Sequence, residues 1–177
     1  MSAYHYPSDR EMRELRKLIP EKIPFTPMQI ALEIAAGLIF AAVALYLWRI
    51  WPDLPERIPT HYGLNGQADG WGGKGTVLLL PIVGVLIYTM CTVLLFFPKI
   101  WNVPYRFDAD SVVWTYQQMR SMMAWTNLAM AVIFGYLTFQ SAQASLSLSP
   151  YFFIVLMLAI FLPVIYYWRR LKKRLMR

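Results

Sequence analysis

Thr76-Val-Leu-Leu-Leu-Pro-Ile-Val-Gly-Val-Leu-Ile-Tyr-Thr-Met-Cys-Thr-Val-Leu-Leu-Phe-Phe97 runs for 22 residues without a charge. As an α-helix at ~1.5 Å per residue it extends roughly 33 Å, enough to cross a hydrocarbon core of about 30 Å. Pro81 and Gly84 are expected to bend it near one end. Three further apolar runs surround this one: Pro27 to Trp51, Ser121 to Gln140 and Pro150 to Trp168. The first has a marked start, with Thr26 as cap, Pro27 in the first turn and Gln29 completing a capping box, and Pro52 ends it. The third is preceded by Asp108 to Arg120, which holds no proline or glycine and can continue it as one long projecting helix. The fourth starts with Ser149 as cap and Pro150 in its first turn, and Pro163 is expected to kink it.

Composition agrees with a chain dissolved in lipid. Of 177 residues, 58% are hydrophobic and 15% charged, against roughly 25% charged in an ordinary soluble domain. The fold class expected is all-α: a polytopic membrane bundle of four transmembrane helices. Segment 1–26 forms an arm, 27–97 a two-span unit with its loop at 52–75, 98–168 a second loop and pair of spans, and 169–177 a basic tail. Within the arm, Ser8 and Glu11 form a second capping box. Met12, Leu15, Leu18 and Ile19 then recur at helical spacing, which predicts an amphipathic helix lying on the membrane surface or packed on a partner protein.

The net charge of +7 is a matter of orientation rather than of nucleic-acid binding, because no base-reading motif accompanies it. Arg10, Arg13, Arg16, Lys17 and Lys22 precede the first span; Lys99, Arg106 and Arg120 separate the second from the third; Arg169, Arg170, Lys172, Lys173, Arg174 and Arg177 follow the fourth. Arg57 and Lys74 alone lie on the opposite side, with Arg49 inside the end of the first span. The bias places both termini in the cytoplasm and the segments from Asp53 to Gly75 and from Ser141 to Ser149 outside the cell membrane. Trp48, Trp51, Trp71, Trp101, Tyr151, Tyr166, Tyr167 and Trp168 fall near span ends, where such rings favour the headgroup region. The polar N-terminus lacks the pattern of a cleaved signal peptide, so the first span is expected to act as its own insertion signal. One cysteine, Cys91, precludes an internal disulfide.

The loop after the first span is unlike the rest: Trp51-Pro-Asp-Leu-Pro-Glu-Arg-Ile-Pro-Thr-His-Tyr-Gly-Leu-Asn-Gly-Gln-Ala-Asp-Gly-Trp-Gly-Gly-Lys-Gly75. Pro52, Pro55 and Pro59 restrict the backbone, and Asn65-Gly66 and Asp69-Gly70 are strong turn dipeptides. An extended stretch over Ile58 to Tyr62 followed by tight turns is expected. The ordered set Leu54-Pro55, Ile58-Pro59, His61-Tyr62, Asn65, Gly66, Asp69, Trp71 and Lys74, then a span containing Pro81, resembles the small uncharacterised domain of SdpI-type bacterial immunity proteins. The resemblance covers the first span, the loop and the second span. It implies a bacterial or archaeal cell-membrane protein and, in the better-known members, protection from a secreted peptide toxin coupled to signalling. Those members carry a further C-terminal module; the third and fourth spans here show no motif assignable to it.

His61 is open to three readings: a post tying the loop together, a pH-sensitive group, or a metal ligand. Only Asp53, Glu56 and Asp69 could join it as ligands, since His5 belongs to the other side, and no metal or cofactor is expected. Asp69 can accept turn amides, pair with Lys74, or meet a ligand. Trp71 can anchor the loop at the interface, yet Tyr62 and Trp71 beside Asn65 and Asp69 also make the aromatic-plus-polar surface that recognition sites favour. Within the spans Glu33 is the one acidic residue. Spacing along the helices brings Glu33, Thr92 and Asn127 to one level, which predicts a polar layer serving interhelical adhesion or a proton-linked role.

No metalloprotease helix motif, phosphate loop or serine–histidine–acid set is present, so no catalytic residue is assigned and no enzyme is expected. The sequence favours a protein that senses or sequesters an external or membrane-borne peptide through its outer loop. The rival is a non-catalytic accessory subunit scaffolding a larger membrane complex.

Overall fold

A computed structural model of the chain describes residues 8–101 and 110–175. His5, Arg106, Asp108 and Arg177 lie outside the described residues, as do the side chains of Met12, Leu15 and Arg16. The described residues form an all-α polytopic bundle with one small two-stranded sheet. Its elements are α1 (Asp9–Lys17), α2 (Pro27–Ile50), β1 (Arg57–Tyr62), β2 (Ala68–Gly73), α3 (Leu79–Leu94), α4 (Val112–Ala142) and α5 (Phe152–Leu175). Among the described residues, four segments are long and apolar enough to cross a membrane: Pro27–Asp53, Lys74–Leu94, Val112–Ala142 and Phe152–Arg174.

Local chemistry sets the helix starts. Thr26 Oγ1 accepts from Gln29 N at 3.3 Å while Gln29 Oε1 accepts from Thr26 N at 3.1 Å, the reciprocal pair expected of a capping box. Ser8 and Glu11 make the same exchange before α1. Pro81 falls in the first turn of α3, where its missing N–H removes no helical bond. The chain enters that helix through a 3-10 turn at Lys74–Leu78. Ser149 Oγ accepts from Tyr151 N at 3.4 Å just before α5, which continues through Pro163 to Leu175. At 31 residues α4 is roughly 46 Å long and exceeds the hydrocarbon thickness.

The spans alternate in direction, so one end of the bundle carries the hairpin and the other the basic segments. α4 is the central element: α2, α3 and α5 all pack on it. Three apolar layers follow its length. At the basic end Ile19, Ile23, Leu95, Trp101, Val112, Tyr116 and Leu171 close together. Ala36, Phe40 and Ala131 meet in the middle, and Leu47, Leu54, Ile58, Val77 and Ala142 form the layer under the hairpin. Ile19, just past α1, is thus buried in the chain's own bundle, a neighbour the surface-or-partner alternatives for that helix did not include.

One flank cation is not a flank residue. Arg120 lies two turns inside α4 and is 1% exposed. Its Nη1 donates to the Ile23 carbonyl at 2.9 Å and the Pro24 carbonyl at 3.3 Å, and its guanidinium stands 4.1 Å from the Phe25 ring centroid. The segment joining α1 to α2 is therefore hooked onto the central helix, where a cation stacked on a ring and bonded to carbonyls lowers the cost of its burial.

Candidate functional site

The 52–75 loop folds into an antiparallel hairpin. Arg57 pairs with Gly73, Ile58 with Gly72, Pro59 with Trp71, His61 with Gly70 and Tyr62 with Ala68. This register leaves Thr60 without an opposite residue on β1 and Asp69 without one on β2, and such bulges bend a strand and re-aim its side chains. Their result is a contact between His61 Nδ1 and Asp69 Oδ1 at 2.5 Å. Both groups face outward, with 70% of the His61 side chain and 54% of the Asp69 side chain exposed. Gly70 makes the approach possible, because a Cβ there would lie 2.9 Å from the His61 Cβ. Trp71 is also outward, its ring 6.0 Å from the Arg57 guanidinium.

Tyr62 and Asn65 have other tasks. Asn65 Oδ1 accepts from Gln67 N at 3.0 Å and builds the turn, in which Gly66 takes a left-handed φ of 78°. Tyr62 turns toward the bundle and donates its hydroxyl to the Ser145 carbonyl at 3.1 Å. Burial first, and the neighbouring Tyr136 second, hold its phenol above the ordinary range. Of the five loop residues singled out in the sequence, His61, Asp69 and Trp71 form the outward face, while Tyr62 and Asn65 support it. Asp69 pairs with His61 rather than with Lys74. The Lys74 ammonium instead lies 3.8 Å from Glu56 and 5.6 Å from the Trp51 ring centroid.

The hairpin is fastened from the far half of the chain. Ser141 Oγ donates to the Pro59 carbonyl at 2.5 Å. Ala68 N donates to the Leu146 carbonyl at 2.9 Å, and Leu148 N to the Gly66 carbonyl at 2.8 Å. The α4–α5 connection thus lies against β2 like a partial third strand, with Gln67 bridged to Ser147. These partners carry no sequence signal: backbone carbonyls and scattered serines announce nothing about what they will bond. Beside the hairpin, between α2 and α3, an apolar groove of about 770 Å³ opens sideways, walled by Phe40, Trp48, Trp51, Pro81, Ile82 and Leu86.

Toward the basic end the structure brings Glu33, Thr92 and Asn127 together. Thr92 Oγ1 donates to Glu33 Oε2 at 2.7 Å and Asn127 Nδ2 donates to Oε1 at 3.0 Å. One carboxyl group thereby joins α2, α3 and α4, and Tyr88 adds a hydroxyl bond to the Glu33 carbonyl at 2.9 Å. One turn nearer the end, fully buried Gln29 donates to Ser121 Oγ and to the Gln117 carbonyl, each at 2.9 Å. Gln29 was legible as a cap only; that its amide nitrogen also reaches α4 depends on packing.

Comparison with known proteins gives short matches. Residues 37–85 match a family described as a domain of unknown function, DUF1648. They run from within α2, through the hairpin, to within α3. An uncharacterised protein of Archaeoglobus fulgidus is 40% identical over 43 residues, which is 24% of this chain and 24% of that protein. The chain therefore matches about a quarter of that relative's length. No solved structure matches.

Proposed function

We propose that this membrane protein is a non-enzymatic receptor whose hairpin faces the outside of the cell and recognises an external or membrane-borne peptide, in immunity or signalling. The observation that carries the reading is the His61–Asp69 pair, exposed yet held in one geometry by two bulges and a close glycine. An exposed pair of this kind contributes little to stability, whereas polar groups fixed on a loop by a rigid scaffold are what recognition uses. Trp71 and Arg57 extend the same face with an aromatic surface and a cation. The apolar groove beside it offers a wall for the hydrophobic part of a peptide. The loop's likeness to SdpI-type immunity proteins favours a peptide ligand. The excess of Lys and Arg at the opposite end supports cytoplasmic termini.

His61→Ala, Asp69→Ala and Trp71→Ala are each expected to abolish protection against, or signalling by, the peptide while expression and membrane insertion persist. Normal protection by all three variants would sink the proposal. A second reading, an accessory subunit of a larger complex, draws on α5, which packs on α4 and turns most of its apolar surface outward. A stoichiometric partner co-purifying in mild detergent would support it, and a monodisperse protein without one would count against it.

A further inference from the structure

At the end of the bundle opposite the hairpin, a cleft of about 290 Å³ between α4 and α5 is lined by Trp114, Arg170, Lys173 and Arg174. Buried Tyr167 and Leu171 fix the facing of α5. Arg170, Lys173 and Arg174, at i, i+3 and i+4, then share one side of the helix. The Arg174 guanidinium stands 4.4 Å from the Trp114 ring centroid and that of Arg170 stands 6.0 Å from it. Stacking on a ring uses a guanidinium's flat face and leaves its edge of N–H donors for an oxyanion. Arg170 commits one Nη1 bond, at 3.3 Å, to the Tyr166 hydroxyl. The two guanidiniums on one indole, with the Lys173 ammonium lining the same cleft, repel one another. Among the described residues none of the ion pairs, Lys17–Glu14, His61–Asp69 and Lys74–Glu56, involves them.

We propose that this cleft binds the phosphate of an anionic phospholipid. Its depth fits: Tyr166, Tyr167 and Trp168 close the apolar part of α5, and Arg170 to Arg174 follow within roughly 3–9 Å along the axis, at headgroup level. The chemistry fits as well, since basic clefts between membrane helices take anionic headgroups. A lipid rather than a free phosphate is the occupant because the side of α5 that carries Lys173 continues into the apolar part of the helix as the exposed residues Tyr166, Leu162 and Val155, on which acyl chains can lie. Orientation in the membrane requires only cations on one side of it; it does not require two guanidiniums on one tryptophan with a lysine lining the same cleft. The cleft is independent of the hairpin and of whatever the hairpin recognises.

The test is native mass spectrometry of the full chain in detergent with phosphatidylglycerol or phosphatidylcholine. Wild-type protein is expected to retain phosphatidylglycerol selectively. The variant Arg170→Gln/Lys173→Gln/Arg174→Gln is expected to lose that retention by at least about tenfold. The control Arg13→Gln/Lys22→Gln/Lys99→Gln, which removes equal charge at the same end, is expected to keep it. Equal loss in the control, or full retention in the cleft variant, overturns the proposal. A second readout needs no destabilising change. Quenching of wild-type fluorescence by brominated phosphatidylglycerol should exceed that by brominated phosphatidylcholine, and the excess should shrink in Trp114→Phe. No preference in wild-type protein, or equal displacement of lipid by millimolar inorganic phosphate, overturns it too.

Discussion

Replacing Asn127 with leucine takes away the donor to one oxygen of Glu33 and leaves Thr92 on the other. In membrane bundles a side-chain hydrogen bond averages about 0.6 kcal/mol in double-mutant cycles and reaches about 1.7. The Glu33–Asn127 bond belongs toward the upper part of that range. It is 3.0 Å long, its Asn127 donor is 2% exposed, and it joins the two helices that pack together most closely. A coupling energy of about 1–1.5 kcal/mol between Glu33→Ala and Asn127→Leu is therefore expected. Glu33→Gln keeps an oxygen for the Asn127 amide or the Thr92 hydroxyl, and its new amide can be met by rotating the other partner, so its cost should stay under about 0.5 kcal/mol. Glu33→Ala, which loses both bonds and leaves space, should cost about 2–3 kcal/mol. Equilibrium unfolding of the purified protein in mixed micelles of mild detergent and dodecyl sulfate reads all four species of the cycle. A coupling below about 0.3 kcal/mol, or Glu33→Gln as damaging as Glu33→Ala, would show that the carboxyl group does not join the helices through these bonds.

Gly84→Ala places a Cβ 2.8 Å from Phe40 Cε1 and 3.0 Å from Phe134 Cγ, atoms of rings that cannot give way cheaply; a loss of about 1–3 kcal/mol is expected in the same unfolding assay. Gly66→Ala forces a side chain onto a φ of 78° and should cost about 1–2 kcal/mol, seen as faster amide exchange across 63–68 with the spans unaffected. Tyr62 titrates above its usual value when folded. Stability from its neutral phenol is therefore complete below the unfolded value of about 10 and declines as pH rises through the folded one. Protection of the hairpin amides relative to their intrinsic exchange rates should fall as pH rises above about 10 in the wild type and fall less in Tyr62→Phe.

The spans were legible because crossing lipid demands long uncharged runs, and the capping box at Thr26 because a reciprocal hydrogen bond needs those residue types at that spacing. The polar layer was legible for a related reason: an acid within a span has few places to go, and axial rise fixes its level. Three features were not. The loop read as an extended stretch and turns, and the second strand was hidden because Asp-Gly-Trp-Gly-Gly contradicts strand preference; only pairing with β1 and the α4–α5 connection makes it extended. Arg120 read as a charge in a flank because its site is created by the Ile23 and Pro24 carbonyls almost a hundred residues away. Asp69 had both Lys74 and turn amides within plausible reach, and a one-residue bulge chose His61.

That choice depends on parts of the chain distant from the motif. The matched residues 37–85 contain every side chain on the hairpin's outward face, yet an isolated two-stranded hairpin is only marginally stable in water. Here its buried edge is completed by Ser141, Leu146 and Leu148, and Ile58 is sealed in a layer that includes Ala142 at the end of α4. Those residues belong to the second half of the chain, whose sequence carries no recognisable motif. α4 also meets the Glu33 layer and presents Trp114 to the basic cleft. One helix therefore holds the hairpin at one end, ties the spans together through Asn127, and walls the cationic cleft at the other. A motif confined to two spans and a loop gives the chemistry of the outward face, while its rigidity comes from the central helix, and the geometry of that face needs both.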